Sequence, residues 1–220
     1  ETINIMIKKL KIFPVFFLMI FFSINSSFAI EIKKLKIPKI GKSSSNGMSL
    51  DDTKTQFTKI FFESALEYME AQYHLFNALE MNDEAGKTRK SIDFVKNTKN
   101  KEGKRLTNAF NSVSDNSTAI EGALTKEAAN SAEAKVHYAK ALPHAVTGLL
   151  GTVKLPSEAQ NLLNTIKANK MAALKLGDFV KVLPKIPEYV KSATTVGRLM
   201  VSGAKSRDVK GAKDATSKLG

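Results

Sequence analysis

The chain has 220 residues, 43% of them hydrophobic, with 34 Lys and Arg against 21 Asp and Glu, a formal net charge of +13, and neither Cys nor Trp. That apolar share excludes a wholly disordered chain, and the length allows one domain or two small ones. Without Cys there are no disulfides, no thiolate metal ligands and no Cys nucleophile.

Glu1 to Ile5 precede Met6, which this reading takes as the true start. Lys8, Lys9 and Lys11 follow, then an apolar run from Ile12 to Ile24, then Asn25-Ser26 and Ser27-Phe28-Ala29. A basic start, a short apolar core and small residues at −3 and −1 describe a secretory signal peptide cleaved after Ala29, with Ser27 and Ala29 as the cleavage determinants. A spanning helix needs about 20 apolar residues, so this run is too short to be an anchor. Residues 1–29 are therefore read as a leader, and the chain is placed in the periplasm or outside the cell. Cleavage leaves a net charge of +11.

Residues 30–48 read as a basic flexible linker. Lys33, Lys34, Lys36, Lys39 and Lys42 precede Ser43-Ser44-Ser45-Asn46-Gly47, a composition of low stiffness. Gly41-Lys42-Ser43 looks like the end of a phosphate loop, but Lys36 stands where that loop needs glycine, so the motif is rejected.

From Ser49 the chain reads as successive helices, and the bundle is assigned to residues 49–204. Ser49 and Asp52 suggest a capping box, and Phe57, Phe61, Ala65, Tyr68, Leu75 and Leu79 recur at helical spacing. A second stripe holds Ile92, Val95, Leu106, Phe110 and Val113, with a polar stretch from Asn97 to Gly103 expected to break or fray it. Thr118 and Glu121 suggest the cap of a third helix through Ile120, Tyr138, Leu142 and Leu149, in which Pro143 should introduce a kink or a split. A fourth starts at Pro156-Ser157 and runs through Leu162, Ile166, Ala173 and Val180 to Leu183. Pro184 stops it, and Pro187 opens a fifth with Val190, Ala193, Val196 and Met200. Residues 205–220 show no stripe and are expected to be a disordered basic tail. The fold class is all-α: an elongated bundle of four to five amphipathic helices after a cleaved signal peptide.

Two of the three histidines share a local pattern, Glu70-Ala71-Gln72-Tyr73-His74 and Glu133-Ala134-Lys135-Val136-His137. On a helical wheel Glu63, Glu67, Glu70 and His74 fall within about 60°, and Glu133, His137 and His144 within about 40°. Carboxylates and imidazoles on facing helices can hold metal ions in a bundle core, which makes Glu70, His74, Glu133 and His137 the metal candidates. Both stripes lie opposite the apolar faces, however, and the spacing is Glu-x-x-x-His where the di-iron pattern needs Glu-x-x-His. They are therefore read as solvated helix faces, with no metal or cofactor.

No elbow around a nucleophilic serine, zinc-protease pair, dinucleotide loop or calcium loop is present, so no enzyme is expected. Only Arg89, Arg105, Arg198 and Arg207 are arginines, which makes nucleic acid a poor partner for this basic surface. The leading expectation is a non-enzymatic cell-envelope protein binding an envelope protein, an anionic envelope polymer or a lipid, with peripheral membrane contact open to it. The alternatives are a carrier of a lipid or other apolar ligand in the small-residue helices after Ala119, a membrane-active secreted protein, and the Glu/His metal bundle.

Overall fold

A computed structural model describes residues 49–98, 102–124, 131–168 and 176–219. The expected leader (1–29) and basic linker (30–48) lie outside the described residues.

The first helix, α1 (Leu50–Ala78), starts where the sequence places it. Ser49 Oγ accepts from the Asp52 amide at 3.2 Å and donates to the Asp52 carboxylate at 2.7 Å, a reciprocal cap with Asp in the Glu role. At 1.5 Å per residue α1 is about 43 Å long. It ends through Glu80, which takes a left-handed φ of 59° while the Met81 amide reaches back to the Phe76 carbonyl at 2.9 Å.

The second stripe breaks at the polar stretch: α2 (Asn82–Asn97) ends there and α3 (Glu102–Leu124) begins beyond it. The cap expected at Thr118 is absent. Thr118 lies inside α3, its hydroxyl bonded to the Ser114 carbonyl one turn back, because a hydroxyl in an unbroken helix satisfies itself that way. The third predicted helix starts instead at Ser131, whose Oγ caps the Ala134 amide at 3.0 Å to open α4 (Ala132–Thr152). Pro143 does not split α4. It sits on the exposed face of the helix.

The fourth predicted helix is shorter than expected. α5 (Leu155–Ala168) is followed, after residues outside the description, by Gly177 at φ 52° and by a single turn, α6 (Phe179–Val182), with Pro184 in the 3-10 turn Leu183–Lys185. Pro187 lies in the first turn of α7 (Ile186–Ser206), as its missing amide favours. The bundle thus has six helices of fourteen residues or more among the described residues, where four to five were expected, and all described regular structure is helical.

The expected disordered tail is also corrected. Gly211, at φ 89°, leads into α8 (Ala212–Leu219), which packs on α4 and α7 with Val209, Ala212 and Ala215 buried. Its apolar face is built mostly from alanine, too small to register as a stripe.

α1 is the hub, packed against α2, α3, α4 and α5. Phe57, Phe61, Tyr68, Leu75 and Phe76 are fully buried on it. Phe61 lies 5.6 Å from Tyr189 of α7, which stacks on Phe110 of α3 at 5.3 Å. The Tyr68 hydroxyl donates to the Ala193 carbonyl at 2.5 Å, and burial first, with Tyr189 nearby, pushes its pKa well above the usual phenol value. Gln72, fully buried, knits three helices together. Its amide nitrogen donates to the Val113 carbonyl (3.0 Å) and Ser117 Oγ (3.1 Å) of α3. Its oxygen accepts from Asn116, which also reaches Thr88 of α2 at 3.0 Å.

Candidate functional site

α4 approaches α1 closely at two glycines. A Cβ on Gly148 would lie 2.9 Å from the Tyr68 amide nitrogen and 3.1 Å from the Ser64 carbonyl oxygen, and one on Gly151 would lie 2.6 Å from Ser64 Cβ. Backbone therefore meets backbone there. The antiparallel run of the two helices carries their polar stripes toward each other farther along.

That placement assembles the three histidines. His144 Nδ1 is 2.7 Å from Glu67 Oε2, an ion pair when the ring carries a proton. The His74 ring reaches across from α1 with centroid distances of 6.0 Å to His137 and 6.1 Å to His144. All three are half-buried, and the Nδ1 atoms of His74 and His137 are buried without a hydrogen-bond partner among the described residues. The pKa of His74 is pushed down to about 4. Burial is the main cause, followed by the His144 and His137 rings, with Glu70 opposing and Lys140 adding to the effect.

Of the metal candidates, the structure brings His74 and His137 together and leaves the carboxylates elsewhere. Glu133 is exposed. Glu70 is held by Lys96 at 2.9 Å and Arg89 at 3.1 Å from α2. Burial raises the Glu70 carboxyl pKa, but the hydrogen bonds and charges of Lys96 and Arg89 outweigh it and hold it below the usual value. Arg89 also lies 4.0 Å over the Tyr73 ring. Among the described residues no group of three His, Asp or Glu is placed to hold a metal ion. Glu63 and Glu133 are exposed, whereas the three histidines are half-buried beside one another. The stripes turn away from each helix's apolar face, as the wheel requires, and toward one another. The sequence placed Glu67 on the α1 stripe but not its pairing with His144, which only the pairing of α1 with α4 reveals.

Beside the cluster lies an open groove of about 620 Å³. Ile60, Leu66 and Leu150 form its apolar part, with Glu63 and Glu67 on the α1 side and Lys96 and Lys154 among the other lining residues. Leu150 is 40% exposed, one of the few large apolar side chains on the described surface.

Comparison with protein-family models, with curated proteins and with solved structures finds no match for this chain.

Proposed function

We propose that the protein is an exported, non-enzymatic helical bundle of the cell envelope that binds an amphipathic helix of an envelope protein in the α1–α4 groove. The observation that carries this reading is the groove itself, an apolar floor at Ile60, Leu66 and Leu150 with side chains of both charge signs around it. An apolar stripe with mixed flanking charge is the chemistry that an amphipathic helix complements. An anionic polymer or bilayer would call for cations alone, and Glu63 and Glu67 oppose one. The leader pattern in residues 6–29 supports export.

The carrier reading has less support. Its premise was that small-residue helices part around an acyl chain, yet Gly148 and Gly151 bring α4 onto α1, and a Cβ on Gly197 of α7 would lie 2.3 Å from Leu149 Cδ1. These small residues are occupied in helix contact. The metal-bundle reading lacks a converging donor set among the described residues.

The test is site-specific photocrosslinking in cells from position 150, with Lys191 on the exposed face of α7 as the control position. One discrete protein adduct is expected from position 150 and none from 191, with loss of the adduct in Glu63→Lys/Lys154→Glu. Equal adducts from both positions, or lipid in place of protein, would overturn the reading. N-terminal sequencing of cell-derived protein should begin at Ile30, and a start at Met6 would remove export.

A further inference from the structure

The histidine cluster has no part in the proposed binding, yet it spans the seam between α1 and α4. The ring planes of His74 and His137 differ by 37° and those of His74 and His144 by 24°. Among the described residues no group of three His, Asp or Glu is placed to hold a metal ion. What a row of imidazoles about 6 Å apart does is repel charge.

We propose that His74, His137 and His144 form an acid-sensitive latch on the α1–α4 seam: protonation of His74 places a cation between two other imidazoles, and that charge is solvated by moving α4 away from α1. The groups facing His74 decide the outcome. From α4 they are His137, His144 and Lys140, none of which offers negative charge. From α1 itself, Tyr73 lies 5.2 Å away, ring to ring, and Glu70 is the favourable partner. From α2, Arg89 and Lys96 already occupy Glu70. Glu67, the other carboxylate on this face of α1, is taken by His144 at 2.7 Å. Among the described groups that face His74, neither α1 carboxylate is free to meet a second positive charge.

The sign follows from proton binding. With His74 near 4 in the closed seam and near 6.5 once exposed, the open state binds more protons between those values, so the closed state is lost as pH falls through that window. Allowing for solvent around a half-buried ring, the closed-to-open ratio should fall by about tenfold from pH 7 to pH 5. The latch borders the α1–α4 groove, but its test needs no partner, so either idea can fail alone.

The experiment is hydrogen exchange by mass spectrometry on the full chain in EDTA, corrected for the intrinsic pH dependence of exchange. Peptides within 132–152 should open about tenfold more at pH 5 than at pH 7, while those within 186–206 change less. His74→Gln, a neutral ring-sized replacement, should abolish the difference. An NMR titration of wild-type His74 covers the case in which that variant folds poorly, and its midpoint should lie below 5. A midpoint of 6 or above, equal acid opening in His74→Gln, or no pH effect on 132–152 would overturn the latch.

Discussion

Replacing Gly148 with alanine adds one methyl group where α4 meets α1, and the structure fixes what that methyl meets. The new Cβ would sit 2.9 Å from the Tyr68 amide nitrogen, 3.1 Å from Tyr68 Cα and 3.1 Å from the Ser64 carbonyl oxygen. All three are backbone atoms of α1 and have no rotamer with which to yield, so the helices must separate. Overpacking a tight site costs about 3 kcal/mol at the upper end of its usual range. Alanine returns about 1 kcal/mol of helix propensity, leaving a net loss of about 2 kcal/mol. Gly86 supplies the control: it is exposed in α2 and a Cβ there meets nothing within 4 Å. Gly86→Ala should gain about 0.5–1 kcal/mol from propensity alone. Urea unfolding at neutral pH reads both through the midpoint at constant m-value. A Gly148→Ala midpoint equal to or above that of the wild type, at unchanged m, would refute the backbone-to-backbone seam.

Gln72→Ala should cost about 2–3 kcal/mol in the same assay, because the Val113 carbonyl, Ser117 and Asn116 lose a buried partner. Glu80→Gly should gain about 0.5–1 kcal/mol by relieving a left-handed φ of 59° at an exposed site. Glu70 is held below the usual carboxylate value by Lys96 and Arg89, so its contribution is present above about pH 4.5 and lost as pH falls through its folded value. Glu70→Gln should therefore lower stability by no more than about 1 kcal/mol at pH 7 and by less at pH 3.5, and equal losses at the two values would contradict the ion pairs.

The features legible in the sequence were those decided within a few residues. Ser49 with Asp52, the polar break after Asn97 and Pro187 in a first turn each act through neighbouring backbone amides, and the structure shows all three. Thr118 misled because a capping pattern inside a continuous helix is satisfied equally well by a bond one turn back. The last helix escaped notice because its buried residues are Ala212 and Ala215, and alanine gives little hydrophobic signal until its docking partner is known. For the site, the wheel placed His74 and the pair His137 and His144 on their correct helix sides. What it lacked was the antiparallel pairing of α1 with α4, which turns two polar stripes into one cluster. The groove depends on the same pairing and on Lys96 arriving from α2.

The central position of α1 also has a consequence in time. Among the described helices α1 is the first in chain order, with Phe57, Phe61, Tyr68 and Phe76 on it, yet the partner that covers it most closely, α4, ends at Thr152. At ordinary elongation rates the helix waits about 4–15 seconds for that partner to be synthesised. Until then the apolar surface that α4 covers stays exposed, and such transient exposure favours aggregation.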